Sequence, residues 1–182
     1  MKKTRNNTPD GNSVSGKNTT QANIKSLISD LTSKDGIVRV KARRQLVAYR
    51  ARSVPYLIKA MSDESDWVRW EAAKALSQIG SPESIQALLE ALSDKQFEVR
   101  WLAAEGLIRI GRKAIIPLLE ALVKHSDSYW LREGIHHVMH DMNKGELRKV
   151  LRPVLVALES HEPSLTAPLA ARVALNTLTK KV

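Results

Sequence analysis

Apolar side chains recur along this chain in a four-residue stripe at positions i, i+3, i+4 and i+7. This spacing places the four side chains on one face of an α-helix. The stripe occurs five times, and each copy predicts the first helix of a helical pair. The copies are Ile24, Leu27, Ile28 and Leu31; Val54, Leu57, Ile58 and Met61; Ile85, Leu88, Leu89 and Leu92; Ile115, Leu118, Leu119 and Leu122; and Leu151, Val154, Leu155 and Leu158.

A second stripe follows each first stripe after a short turn, and it predicts the second helix of the pair. Its copies are Val38, Ala42, Leu46 and Tyr49; Val68, Ala72, Leu76 and Ile79; Val99, Ala103, Leu107 and Ile110; Leu131, Ile135, Met139 and Met142; and Ala171, Ala174, Leu175 and Leu178. The two best-preserved copies are 31 residues apart, since Arg69 corresponds to Arg100. A fixed period of this size indicates stacked helical pairs. In the last copy, Pro168 occupies the place of the arginine.

The N-terminal segment has a different composition. Residues 1–22 are rich in Asn, Thr, Ser, Gly and Lys and contain almost no apolar side chain. Such a segment buries too little apolar surface to offset the entropy lost on ordering. We therefore predict a disordered basic and polar tail over residues 1–22 and a repeat domain over residues 23–182, with the first helical stripe beginning after Asn23.

The second-helix motif resembles that of a known family. It reads Val-Arg-x-x-Ala-Ala-x-Ala-Leu-x-x-Ile-Gly over residues 68–80 and recurs in altered form over residues 99–111. This pattern resembles the HEAT repeat, in particular the short HEAT-like type of the phycobilisome lyases, and the resemblance covers about residues 23–179. It implies an all-α, right-handed superhelix, or solenoid, of about five HEAT-like helix pairs, with the second helices lining the concave face.

The resemblance also implies a structural role for one arginine in each of the first four second helices. These repeat arginines are Arg39, Arg69, Arg100 and Arg132. The family pattern implies that they form a ladder with carboxylates of the turns, such as Asp35, Asp63 and Asp94.

Composition narrows the setting in which the protein acts. The 182 residues include 29 Lys and Arg but only 19 Asp and Glu, which gives a formal net charge of +10, and there is no Cys. Basic residues dominate residues 36–60, and such a patch attracts anionic partners. The sequence has no apolar run of about 18 residues that could span a membrane. We expect a cytoplasmic protein that does not act in a membrane.

The candidate binding residues follow from helical geometry. Positions one, two, five, eight and nine residues after each repeat arginine should face away from the core. Trp70 and Trp101 occupy equivalent positions and are the predicted anchors for a protein partner, because large exposed aromatics suit binding. The predicted protein-binding residues are Trp70, Trp101, Arg44, Lys74, Leu102, Glu105 and Arg109. We expect Trp67 and Trp130, at the helix starts, to seal the contact between repeats.

A nucleic acid is the alternative partner. Its phosphates would lie on the basic first repeat, through Lys41, Arg43, Arg44, Arg50 and Arg52, and its bases would stack on tryptophan. This arrangement resembles that of the HEAT-like DNA glycosylases. Four carboxylates on the predicted face oppose a phosphate track, and for that reason we favour a protein: Glu71, Glu105, Glu133 and Asp141.

The sequence offers little support for catalysis. Glu133, His137 and His140 share a helix face, but no defined fourth ligand or base accompanies them. The His-Glu pairs of the HEAT-type deoxyhypusine hydroxylases occur once, at residues 161–162, where a di-iron site needs several. We therefore predict a non-catalytic adaptor or scaffold without metal or cofactor, and we keep a bilin-lyase-like enzyme or chaperone as the alternative that the resemblance implies.

Overall fold

The computed structural model describes residues 12–180, and its side chains from residue 19 onward. Every regular element in this range is helical, as predicted. Ten α-helices follow one another: α1 (Asn12–Asp30), α2 (Gly36–Ala48), α3 (Val54–Ala60), α4 (Asp66–Ile79), α5 (Ile85–Ala91), α6 (Phe97–Ile110), α7 (Ile115–Lys124), α8 (Tyr129–Met142), α9 (Arg148–Leu158) and α10 (Pro163–Thr179). Short 3-10 turns lead into α3, α5, α7 and α9: Arg50–Arg52, Pro82–Ser84, Gly111–Ala114 and Gly145–Leu147.

The hydrophobic core consists of the two predicted sets of stripes. Every position of both sets is buried or half-buried, so the prediction of the helical pairs is confirmed. Leucines of the first helices fill the layer between the two rows, whereas small residues line the second helices. Ala72, Ala73 and Ala75 are fully buried on α4. Because alanine side chains are short, they let neighbouring helix axes approach closely.

The helices form two rows. The second helices α2, α4, α6 and α8 pack against one another in chain order, and they do so more extensively than the first helices α1, α3, α5 and α7. A stack of pairs curves toward its more closely packed row. The second helices therefore line the concave side, where the resemblance places them.

The fifth pair is present but is arranged differently from the other four. Its first helix, α9, packs on α8 of the second row, while α10 packs mainly on α7 and α9. In the fifth pair, the first helix therefore joins the row of second helices, and the second helix joins the row of first helices. The connection before α9 is as long as those before α3 and α5, so its length does not account for this exchange. The face of α10 that packs on α7 and α9 carries Ala167, Ala171 and Ala174.

The first helix is longer than the stripe predicts. It begins at Asn12, whereas the sequence pattern places its start near Asn23. The segment between them contains no proline, so the backbone can extend the helix by one hydrogen bond for each added residue. Gln21 and Asn23, near the end of this extension, are exposed. Residues 1–11 of the predicted tail lie outside the described residues.

In the first repeat, Arg50 occupies a position that is glycine in the second and third repeats. Gly80 and Gly111 follow the ends of α4 and α6 and have φ values of 66° and 73°. The corresponding residue after α2 is Arg50, whose φ is 50°. A side chain in this left-handed region costs roughly 1–2 kcal/mol, a cost that glycine avoids. The first repeat therefore carries local backbone strain where its neighbours carry none.

Candidate functional site

The repeat arginines fasten each second helix to the turn before it. In every case Nη1 donates to the carbonyl oxygen of the residue six positions earlier. The acceptors are Ser33, Asp63, Asp94 and Ser126. The structural ladder is thus confirmed, but its common partners are carbonyls and not the predicted carboxylates. The Asp35 and Asp63 carboxylates instead accept from the backbone N–H groups of Ile37 and Ser65.

Carboxylates do bind the repeat arginine of the second repeat. Arg69 donates from Nε and Nη2 to the two oxygens of Asp94, at 2.7 and 3.2 Å, and from Nη2 to Asp66 at 2.6 Å. Lys95 and Gln96 also donate to Asp66, at 3.0 and 2.7 Å. Hydrogen bonds from Lys95 and Arg69 lower the pKa of Asp66, and Asp94 raises the pKa of Arg69. The contact between α4 and α6 is therefore held by an ionic network.

In the first and third repeats, aromatic rings lie against the repeat arginine. The guanidinium of Arg39 lies 5.1 Å from the ring centroid of Trp67, and that of Arg100 lies 3.8 Å from Trp130 and 5.7 Å from Phe97. These are cation–π distances. Trp67 and Trp130 do cover the contact between repeats, as predicted, but they remain 62% and 48% exposed.

Five large aromatic side chains are exposed near the starts of three neighbouring second helices. We call them the aromatic face; they are Trp67, Phe97, Trp101, Tyr129 and Trp130. The rings of Phe97 and Trp101 are 6.4 Å apart, and those of Tyr129 and Trp130 are 4.9 Å apart. Exposed large aromatic side chains that are grouped in this way, and not scattered singly, mark the region as a candidate binding surface.

Two grooves divide the aromatic face. The groove between α4 and α6, of about 400 Å³, is lined by Asp66, Trp67, Trp70, Gln96, Glu98 and Val99. The groove between α6 and α8, of about 230 Å³, has Phe97, Arg100, Trp101, Trp130, Glu133 and His137 in its walls. Each groove combines aromatic rings with an exposed carboxylate, Glu98 in one and Glu133 in the other.

The two predicted anchors are not equivalent. Trp101 is 47% exposed and stacks on His137, with the ring centroids 4.7 Å apart. Trp70 is half-buried against the core, and Lys74 and Arg43 lie over its ring at 4.5 and 5.6 Å. Trp70 is therefore less available to a partner than Trp101 is.

The other predicted protein-binding residues are spread along the concave side. Arg44 and Arg109 are exposed, and Leu102 is half-buried. Glu105 bonds to His137 at 3.1 Å across the contact between α6 and α8. The sequence reasoning missed Phe97 and Tyr129, which stand three places before their repeat arginines; the run of aromatics at helix starts was the signal that could have found them.

The prediction that Glu71 is exposed is wrong. This residue is only 2% exposed, and its carboxylate pairs with Arg43 and, at 3.7 Å, with Arg39. The position faces α2 across the closely packed contact with α4, so it cannot oppose a phosphate on the surface. Arg43 is 8% exposed and equally unsuited to the nucleic-acid role predicted for it. Its predicted companions on the surface are all exposed: Lys41, Arg44, Arg50 and Arg52.

The histidines of α8 point in different directions. His137 is held by Glu105, whereas His140 stacks on His136 at 6.1 Å and His136 bonds to Glu159 at 3.0 Å. The shared helix face of Glu133, His137 and His140 therefore does not become a ligand set. Within the described residues, no group of three or more histidines and carboxylates could hold a metal ion. No helix in the same part of the chain is long and apolar enough to cross a membrane.

Comparisons with known proteins agree with this architecture. The family model described as HEAT repeats matches residues 24–100. No curated protein matches the chain. Among solved structures, the chain is similar to one from the complex of CpcE and CpcF of phycocyanin lyase from Nostoc sp. PCC7120, with 20% identity and a TM-score of 0.58 over 85% of this chain and 98% of that one. An engineered protein aligns at 21% identity over 93% of this chain and 85% of its own, with a TM-score of 0.46.

Identities this low show the fold alone. The match over residues 24–100 covers α2 to α5 in full and parts of α1 and α6, and the described helices beyond it continue the same stacking up to the fifth pair. Residues 24–100 are therefore HEAT repeats, and the chain is a HEAT-like helical solenoid.

Proposed function

We propose that this protein is a non-catalytic adaptor that binds another protein through the aromatic face. The observation that carries the proposal is the exposure of five large aromatic side chains at the starts of α4, α6 and α8. Aromatic residues and arginine dominate the binding energy of protein interfaces, and here the two types alternate. Arginine or histidine lies against four of the five rings, so these rings lose little freedom when a partner binds.

A protein suits this surface better than a nucleic acid does. Glu98 and Glu133 lie among the aromatic rings and repel phosphate groups. Glu71 is buried, so it is no longer one of the acids that argue against a nucleic acid. The exposed carboxylates of the two grooves still favour a protein partner. The Nostoc chain of similar fold comes from a complex of two proteins, which is consistent with this use of the fold.

Site-specific photo-crosslinking tests the proposal. A benzophenone amino acid would replace Trp101 in the native host, and a matched probe would replace Gln86, which is exposed on α5 in the other row. We expect protein adducts from position 101 only, and we expect them to weaken when Trp67 and Trp130 are changed to alanine. Equal adducts from both positions would refute the proposal, and nucleic-acid adducts at position 101 would favour the alternative partner.

A further inference from the structure

We propose that Arg100 binds a carboxylate of the partner, so that the partner presents an acidic segment to the groove between α6 and α8. This inference rests on the proposed function and names the chemistry of the ligand. It comes from comparing the repeat arginines, which share one position in the fold but differ in what surrounds them.

The second repeat shows how a repeat arginine of this chain binds carboxylates. With Nη1 committed to the turn carbonyls, Arg69 presents Nε and Nη2 to Asp94 and adds Asp66 through Nη2. The pairing with Asp94 is bidentate, which is the strongest arrangement of a guanidinium and a carboxylate. This edge of the guanidinium is therefore preorganised for an anion.

The third repeat has neither of these carboxylates. Phe97 stands three places before Arg100, where Asp66 stands before Arg69, and Ser126 occupies the turn position of Asp94. Arg100 keeps the turn contacts of its Nη1, at 2.8 Å to the carbonyl of Asp94 and 3.2 Å to that of Lys95. No carboxylate among the described residues pairs with its remaining edge.

An aromatic groove stands where those carboxylates would be. Phe97 and Trp130 lie against the Arg100 guanidinium and orient it, and the space of about 230 Å³ beside it is open to solvent. A carboxylate that enters from a partner can make the contacts that Asp94 makes to Arg69. Trp101 and Trp130 then provide apolar contact for the side chains that flank the acid.

The groove favours a carboxylate over a phosphate. Glu133 is exposed in its wall and repels every phosphodiester of a nucleic-acid strand that passes through the groove, whereas a protein can present a single carboxylate with apolar side chains beside it. The formal net charge of +10 assists the approach of an acidic segment from a distance. The partner that fits is therefore an acidic stretch of protein with apolar neighbours.

Selection from a phage-displayed library of random peptides tests this inference without a known partner. We expect the full chain to enrich peptides that carry Asp or Glu beside a large apolar residue, and the Arg100→Gln variant to lose that enrichment. In fluorescence anisotropy, changing the selected acid to its amide should weaken binding about tenfold, as expected for a hydrogen-bonded charged group. Arg112→Gln removes an equal charge from an exposed turn at the far end of α6 and should change the affinity less than twofold.

A second pair of variants separates competition by an internal carboxylate from the loss of the Phe97 ring, which both variants share. Phe97→Asp introduces a carboxylate at the position that Asp66 has in the second repeat. We expect this carboxylate to pair with Arg100 and to compete with the peptide, so that Phe97→Asp weakens peptide binding more than Phe97→Asn does. Peptides without acidic enrichment, or equal affinities for acid and amide, would overturn the inference while leaving the crosslinking result intact. Tight binding of an oligothymidylate that depends on Arg100, in the absence of acidic peptides, would also overturn it in favour of phosphate.

Discussion

The guanidinium of Arg100 lies 3.8 Å from the ring of Trp130, so the arginine of the third repeat is covered by an aromatic residue of the fourth. This contact belongs to the solenoid and to the proposed site at once. It can be measured by a double-mutant cycle with Trp130→Ala and Arg100→Gln. We expect a coupling of about 0.5–1 kcal/mol in the free energy of unfolding, the usual value for a half-exposed cation–π pair. A coupling near zero in urea denaturation would show that the two residues only lie side by side.

The ion pair of Glu71 and Arg43 predicts a larger effect, because both residues are buried. Changing Glu71 to alanine leaves Arg43 buried without its partner and should reduce the free energy of unfolding by about 3 kcal/mol or more. The double variant Glu71→Leu/Arg43→Met removes both charges and should recover most of that loss. Chemical denaturation of the three proteins provides the measurement, and a double variant as unstable as the single one would contradict the expectation.

The strained backbone at Arg50 predicts a stabilising substitution. Arg50→Gly should raise the free energy of unfolding by up to about 1 kcal/mol, since glycine adopts a φ of 50° without steric cost. Gly80→Ala, at the same repeat position, should lower it by roughly 1–2 kcal/mol. Arg50→Ala is the control, because it removes the same side chain but keeps the strain. Equal stability of the glycine and alanine variants at position 50 would refute the role of φ.

The bond between His136 and Glu159 predicts a dependence on pH. The hydrogen bond from His136 lowers the pKa of Glu159 below its ordinary value of 4.5. A lowered carboxyl pKa stabilises the fold above that value, and the stabilisation disappears as the pH falls through the lowered pKa. The difference in melting temperature between the wild type and Glu159→Gln should therefore be full above pH 4.5 and shrink as the pH is lowered below that value. Glu120→Gln, which removes an equal charge from an exposed position on α7, is the control.

Much of the fold could be predicted because apolar spacing decides which faces of these helices are buried. Leu31, Leu57 and Leu88 lie in the core, as their stripes indicate. The exchange of rows at α9 and α10 could not be predicted, because either helix can bury its stripe on either row. The early start of α1 at Asn12 could not be predicted either, because residues 12–23 contain too few apolar side chains to form a stripe.

The site was predicted less well than the fold. Helical geometry predicts the direction in which Trp70 and Glu71 point from their own helix. It does not predict which side chains of the neighbouring helix contact them. Arg43 on α2 reaches both residues, so that one is buried in an ion pair and the other is covered by cations. Phe97 was overlooked because its importance depends on Arg100 and Trp130, which meet only in the folded chain.

The absence of Asp66 and Asp94 equivalents around Arg100 has a consequence for how a solenoid can carry a binding site. The turn carbonyls hold a guanidinium at the same place in each of the first four second helices, whether or not a carboxylate fills its other edge. A carboxylate site in such a scaffold therefore needs no added arginine, only an open edge on one that is already in place. The same kind of residue can thus hold two repeats together at one level of the stack and, under the proposal above, recognise a partner at the next.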